Sequence, residues 1–310
     1  MKIVTFNAGL LSISLFGGLK KFEPAGCIEE RLSRMPDALL SARPDVLILQ
    51  EVYSQKHKQW LAQALSEWLP YSAFGAAAPW YRLLPDSLMI LSRYPINDSC
   101  FVRFEASRWD ERLLDTKGFY VARVNDTPVG PLLIANMHTT AGVFTHPEHP
   151  KIDQIREAQI HQAIDNLEQL AGNAKVVLAG DLNCGPGVAF TGEPDIAPLV
   201  LKDALIPAAE RVSIQNYRQI TQRGLADTHH TLGLIERPTW SPTSNPLNRG
   251  GDHATWGCPA QRIDHVFVKA DQLRPTAGGV FLEEPLIPVP GSTSVPLSDH
   301  YGYWVDVISA

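Results

Sequence analysis

The sequence predicts an α/β fold in which sheets pack against one another with helices outside, on three observations. Short, apolar, β-branched runs recur from residue 3 to residue 307. A few segments with helical spacing lie between them. Polar residues sit at or beside the ends of those runs, from Asn7 near the start to His300 near the end, so both ends of the chain belong to one fold. The expectation is one large domain spanning residues 1–310.

The elements follow in order. Residues 2–7 read as a buried strand ending on Asn7. Residues 28–42 read as an amphipathic helix with Ile28, Leu32, Met35, Leu39 and Leu40 on one face, stopped by Pro44. Val46-Leu47-Ile48-Leu49 is a continuous apolar strand that delivers Gln50 and Glu51 at its exit, and 55–68 reads as a second helix. Ser87–Leu91 is a core strand, and strands are expected at 98–106, 118–126 and 131–138. The clearest helix is 153–171, with Ile155, Ile160, Ile164, Leu167 and Leu170 among polar residues. Lys175–Ala179 runs into Gly180-Asp181-Leu182-Asn183. Residues 185–260 are rich in Pro, Gly, Thr and Asn and receive no assignment, and final strands are expected at 263–268, 278–283 and 302–308.

Composition narrows the function classes. The 310 residues are 45% hydrophobic, enough for a large core, and the net charge of −6 comes without a polybasic tract. The electrostatic footprint of a strong nucleic-acid binder is therefore missing, which counts only weakly against a nuclease, because an enzyme needs only transient contact and bound metal would neutralise some acids. Cys27, Cys100, Cys184 and Cys258 are scattered with no C-x-x-C spacing, so reduced thiols are expected rather than a zinc site. No apolar run reaches membrane-spanning length, and no signal pattern precedes the first strand. The expected location is the cytoplasm or a membrane surface, with secretion lacking a cleavable signal left open.

The chemistry lies in the residues at strand ends. Glu51 follows four apolar residues, so it is either a strand-exit ligand or part of a structural salt bridge, the two at even odds. Asp181 and Asn183, two apart, face the same way if the chain stays extended, and an ordinary Asx turn is the competing reading. Asn7 is a site amide or a satisfied loop amide. In Ser298-Asp299-His300, Asp299 suits a metal, and His300 suits proton acceptance from water because imidazole titrates near neutrality. Asp264, in Arg262-Ile263-Asp264-His265, is the natural acid to hold that ring. With 10 histidines present, none is diagnostic alone, and His146, His149, His229, His230 and His253 are expected in loops without a role.

Taken together and in this order, these patches resemble the endonuclease/exonuclease/phosphatase superfamily, the deoxyribonuclease-I-like fold, across essentially the whole chain. The resemblance implies a four-layer sandwich, two mixed β-sheets face to face with helices outside, and Mg²⁺-dependent hydrolysis of a phosphate ester, with Mn²⁺ or Ca²⁺ as alternative ions. It implies Glu51 as principal metal ligand with Asn7 and Asp299 beside the ion. Asp181 and Asn183 would orient nucleophile and phosphate, and Asp264 would position His300. His138 would be a second catalytic histidine, as in the nuclease and sphingomyelinase branches and unlike the abasic-site repair branch. Mg²⁺ prefers hard oxygen ligands and keeps several waters, so one or two carboxylates suffice.

Within that superfamily the chain looks nearest to neutral sphingomyelinases. Asp153, Arg156 and Gln159 open a helix soon after His138, and Pro186 follows the Gly180–Asn183 motif; Thr139 and Thr140 depart from the branch. The expected substrate is a phospholipid whose phospho-headgroup is released. A deoxyribonuclease-I-like endonuclease is second, a phosphoinositide or small phosphate-ester phosphatase third, and a non-catalytic binding module fourth. A lipid substrate calls for an interfacial surface, and Leu10–Leu19 with Lys20 and Lys21, and Ala78–Tyr81, are the candidates, against loops folded back onto the core. No obligate protein partner is implied.

Overall fold

The computed structural model describes residues 1–15, 20–76, 83–142, 149–187, 199–201, 204–206, 213–248, 259–289 and 294–310. The chain opens with β1 (Lys2–Asn7), a hairpin of β2 (Ile13–Leu15) and β3 (Lys20–Phe22), α1 (Ile28–Ser41), β4 (Val46–Gln50) and α2 (Gln55–Ala64). Then come β5 (Tyr71–Phe74), β6 (Met89–Ser92), β7 (Ile96–Arg103), α3 (Trp109–Leu114), β8 (Gly118–Val124) and β9 (Leu132–His138). α4 (His149–Leu170), β10 (Lys175–Asp181), β11 (Leu199–Leu201), β12 (Ala204–Ile206), α5 (Ile214–Gln222), β13 (Leu225–Asp227) and α6 (Thr228–Thr231) follow. The last strands are β14 (Asp264–Lys269), β15 (Leu273–Phe281) and β16 (Gly302–Ser309).

Two six-stranded sheets result, in the orders β15-β16-β1-β4-β6-β5 and β13-β14-β10-β9-β8-β7. Both are mixed: β1 runs parallel to β4 and β9 parallel to β10, while the remaining pairs are antiparallel. The first and last strands of the chain pair directly, Lys2 opposite Asp306.

Alternation along each strand builds the layers, because successive side chains point to opposite faces. Ile3, Ile48, Ile90, Val305 and Tyr303 of the first sheet meet Tyr120, Ile134, Val177 and Val266 of the second in the central core. Their neighbours Val4, Phe6, Leu47 and Leu49 face outward onto Leu32, Met35 and Leu39 of α1 and Leu61 of α2. On the other side, Val121, Leu133, Val176 and Phe267 pack on Ile160, Ile164 and Leu167 of α4 and Ile220 of α5. Strands buried on both faces explain why the sequence shows continuous apolar runs rather than alternation. The four layers expected from the resemblance are present.

The differences from expectation lie at short or exposed elements. The second helix ends at Ala64 instead of 68, where Leu65 to Trp68 tighten into turns before Pro70. The edge strand β5 and the helix α3 are too short, at four and six residues, for a period to register, and α3 buries none of its side chains. The segment 185–260, given no assignment, supplies β11, β12, α5, β13 and α6. His149 begins α4, and His229 and His230 lie on α6 rather than in loops, because the Asp227 carboxylate accepts from the His229 N–H and starts that turn. His146 and His253 lie outside the described residues.

One polar tie crosses the central core. Asn136 of β9 donates from Nδ2 to the carbonyls of Leu49 (2.8 Å) and Met89 (3.1 Å), and Gln50 Nε2 donates to Asn136 Oδ1 at 2.8 Å. All of it is fully buried, so removing one member strands the others. Asn136→Ala is expected to lower stability by about 2–3 kcal/mol, read as a fall in the urea midpoint at unchanged slope. An unchanged midpoint would show that the tie does not join the sheets.

Candidate active site

The polar residues gather at one end of the seam between the sheets. The parallel pairs bring strand exits side by side: Asn7 of β1 lies opposite Gln50 of β4, and His138 of β9 opposite Asp181 of β10. The antiparallel β14 enters beside them, with Asp264 opposite Asp181. His300 arrives just before β16, through a bridge with Trp240.

Local backbone sets the aim of each group. Glu51 turns out of β4 with φ of 57°, a left-handed conformation that costs energy for a residue with a side chain. Two hydrogen bonds hold it there, Ala8 N–H to Gln50 O at 2.9 Å and Leu10 N–H to Glu51 O at 3.1 Å. Gly9 (φ 56°) has no room for a Cβ, which would stand 2.2 Å from Asp299 Oδ1, so its smallness admits the Asp299 carboxylate. At Gly180 (φ 133°) a Cβ would stand 2.0 Å from Met137 O, so glycine lets β10 approach β9 one residue before Asp181 and His138.

Asn7 links the two sheets. Its Nδ2 donates to Glu51 Oε1 at 3.2 Å and to Asp181 Oδ2 at 3.0 Å, and lies 3.5 Å from His300 Nε2. His300 Nδ1 is 2.9 Å from Asp264 Oδ2, and Nε2 is 3.7 Å from Asp181 Oδ2. His138 Nε2 lies 3.8 Å from Glu51 Oε1 and 3.7 Å from Asp181 Oδ2, while among the described residues its Nδ1 has no hydrogen-bond partner, nor has the buried Asp264 Oδ1. Asn183 donates its backbone N–H to Asp181 Oδ1 (2.9 Å) and its side-chain amide to Thr139 O (3.3 Å). All eight residues singled out in the sequence therefore converge. Glu51, His138, Asp181, Asn183, Asp299 and His300 line one cavity of about 220 Å³, with Asn7 and Asp264 behind them. A groove of about 460 Å³ between α1 and α2 lies away from all of them.

Electrostatics follow from this crowding. Burial, then the nearby Asp299 carboxylate, push Glu51 up to about 7. Burial opposes protonation of His300, but Asp264 and Asp181 outweigh it and raise its pKa well above the usual imidazole value. Burial, with Lys117 and His300 nearby, drives His138 the other way, so the two imidazoles differ in protonation. Glu51 and Asp299 with the Asn7 amide thus form an oxygen-rich set with no Lys or Arg in the cavity wall among the described residues, which fits a hard divalent cation. Asp181, Asp264 and His300 also offer donor atoms within 4.8 Å of one another. There the direct His300–Asp264 bond makes a proton-holding pair the better description.

Several supporting residues carry no signal in the sequence. Arg31 of α1 is fully buried and donates to the carbonyls of Ala8, Gly9, Gly26 and Leu297, clasping the Asn7 and Asp299 loops together. Thr239 Oγ1 accepts from the N–H groups of Ile263 and Asp264, and Asn248 donates to Asp299 O at 2.9 Å. Arg156 and Gln159 of α4, noted above for their spacing, both grip Thr140 two residues after His138. Trp240 joins Leu11, Pro24, Ala141 and Ile263 in the apolar part of the cavity wall.

Behind Asp264, Arg262 is buried against Asp227 (2.8 Å) and Glu236 (2.7 Å). Burial alone would raise the Asp227 pKa, but Arg262 wins and holds it at about 2. Since the native carboxylate keeps its charge below the unfolded value of about 3.9, its stabilisation is complete above about pH 4 and is lost as pH falls toward 2. Asp227→Asn is expected to lower stability at pH 7 by about 2 kcal/mol and to flatten the stability profile between pH 4 and 2. Urea melts across that range test it, and an unaltered slope would show that Asp227 does not carry the acid sensitivity.

Comparison with known proteins agrees with this geometry. The model of the Endonuclease/Exonuclease/phosphatase family matches residues 4–300. A curated relative, "Putative neutral sphingomyelinase" of Drosophila melanogaster, is 25% identical over 166 residues. That match takes in 50% of this chain and 35% of the relative, so the chain corresponds to about a third of the relative's length. Among solved structures, sphingomyelinase C from Streptomyces griseocarneus superposes with a TM-score of 0.66 at 17% identity, covering 100% of this chain and 99% of that one. D. rerio TDP2 complexed with single-strand DNA product gives 0.64 at 17% identity, over 99% and 98%. From its first strand to His300, the chain belongs to the endonuclease/exonuclease/phosphatase family.

Proposed function

We propose that this chain is a Mg²⁺-dependent phosphodiesterase that hydrolyses a phospholipid at its headgroup ester, in the manner of a sphingomyelinase. The observation that carries the reaction type is a single cavity holding two cation-suited carboxylates, Glu51 and Asp299, beside the His300–Asp264 pair and His138.

Glu51, Asp299 and Asn7 would hold the cation. When bound, it polarises a phosphoryl oxygen and offsets the charge that develops there. Asp264 fixes the His300 ring through Nδ1, leaving Nε2 on the side of Asn7 and Asp181 to accept the proton of an attacking water. Asp181 and the Asn183 amide orient water and phosphate. His138 stabilises the transition state or protonates the leaving oxygen.

Three features support a lipid headgroup over a polyanionic substrate. The cavity wall is apolar on one side and has no Lys or Arg among the described residues. The curated relative is a putative neutral sphingomyelinase. Trp109 (73% exposed), Leu113 (63%) and Leu114 on α3 present an apolar surface, and α3 is tied to the site by Thr140 Oγ1 donating to Glu111 Oε2 at 2.7 Å. Leu10, by contrast, is buried in the core and Leu11 lines the cavity, while 16–19 and 78–81 lie outside the described residues. Among the described residues no helix is long and apolar enough to cross a membrane. A nucleic acid is the second reading, favoured by the likeness to the DNA-bound structure.

Sphingomyelin liposomes, phosphoinositide vesicles, plasmid DNA and RNA offered in parallel with Mg²⁺ test the substrate. Release of phosphocholine is the expected result, and plasmid cutting without lipid turnover would replace this reading with the nuclease. His300→Ala is expected to lower kcat about 10²–10⁴-fold; near-wild-type turnover would remove it from the mechanism. Mg²⁺ is expected to raise the melting temperature of wild type and not of Glu51→Ala, with EDTA reversing the gain. An equal gain in both would place the ion elsewhere.

A further inference from the structure

His265 takes no part in the chemistry above, yet it is fully buried immediately after Asp264 and both of its nitrogens are engaged. Because neighbours on a strand face opposite ways, Asp264 points to His300 while His265 points to the outer face of the sheet. There its ring lies 5.6 Å from Tyr217 and 5.2 Å from Phe267, centroid to centroid. Arg262 Nη1 lies 2.8 Å from Nδ1, and a guanidinium can only donate, so Nδ1 is the acceptor and the ring proton sits on Nε2. Nε2–H therefore donates to the carbonyl of Cys184 at 2.9 Å. The tautomer is locked by Arg262, itself anchored on Asp227 and Glu236. Burial and then Arg262 keep the His265 pKa at about 3, so the donor persists throughout the neutral range.

Cys184 closes the turn that carries Asp181 and Asn183. Asn183 sits in the left-handed region, φ 45°, and such a conformation persists only where its surroundings over-determine it. One end is held by Leu182 N–H on Ile263 O at 2.9 Å and the other by His265 on Cys184 O.

We propose that His265, oriented by Arg262, is a positioning residue that holds the Asn183 turn in its reactive geometry from the far side of the sheet. The rate part of this proposal rests on the phosphodiesterase reading; the geometric part does not. The pair of variants is His265→Leu, which removes the donor, and His265→Gln, whose amide keeps one toward Cys184. Bis(p-nitrophenyl) phosphate with saturating Mg²⁺ is the probe, beside the ¹⁵N side-chain amide resonance of Asn183, identified by its loss in Asn183→Ala. His265→Leu is expected to lower kcat about 100-fold with KM nearly unchanged, and to shift the Asn183 resonance. His265→Gln is expected to restore both. A folded His265→Leu protein with wild-type kcat and an unmoved Asn183 resonance overturns the proposal, as does a folded His265→Gln protein no better than the leucine variant. If wild type does not turn over the probe, the phosphodiesterase reading fails, and the Asn183 resonance alone decides: displaced in leucine and restored in glutamine supports the positioning, unmoved overturns it.

Discussion

The Asn7 amide is the pivot of the site. It has two N–H groups, and carboxylates from both sheets, Glu51 and Asp181, lie within reach of them. A carboxylate buried at the end of a strand needs a donor or a counter-charge, and here one neutral side chain serves two. That arrangement fixes the spacing between the sheets at the site, as Asn136 does deeper in the core. It also leaves the carboxylates only partly compensated, because hydrogen bonds from an amide carry no net charge.

Charge distribution then divides the site into two halves. Arg31, buried beside the Asn7 and Asp299 loops, donates to backbone carbonyls and clasps the loops, so its charge reaches Asp299 and Glu51 only through space. On the Asp264 side the negative charge meets an imidazole that binds its proton tightly. On the Glu51–Asp299 side burial, and then the neighbouring Asp299 carboxylate, raise the cost of ionising Glu51. A divalent ion held by Glu51 and Asp299 would relieve that repulsion and, by offsetting Asp299, would bring the His300 imidazole toward the form that can accept a proton.

The parts of this design readable from sequence are those where a polar residue interrupts a local apolar pattern. Asn7, Glu51, His138 and Asp181 each follow a strand run, and burial on both faces made those runs conspicuous. The supporting contacts obey no local rule. Arg31 reaches Leu297 across 266 positions, and Thr239 and Asn248 act from a Pro- and Asn-rich stretch whose fold depends on what it packs against. Glycines 9 and 180 look like ordinary turn residues until the Asp299 and Met137 atoms pressed against them are known. The histidine at 229 is indistinguishable in sequence from a loop histidine, and His265, though it falls in an expected strand, gives no sign there of its contacts with Arg262 and Cys184, since both come from packing.

The run Arg262-Ile263-Asp264-His265 shows how few residues can organise such a site once sheet alternation is considered. Ile263 offers its carbonyl to Leu182, Asp264 holds His300 on the inner face, and His265 holds Cys184 on the outer face. Arg262 orients His265 and is itself pinned by Asp227 and Glu236. Because the four residues share one strand entry, a displacement of that backbone moves the His300 imidazole and the Asn183 turn together. Thr239, which accepts from two consecutive N–H groups at this point, restrains that displacement. The relative placement of the imidazole and the Asn183 amide is therefore set by the rigidity of one short segment and not by direct contact between them.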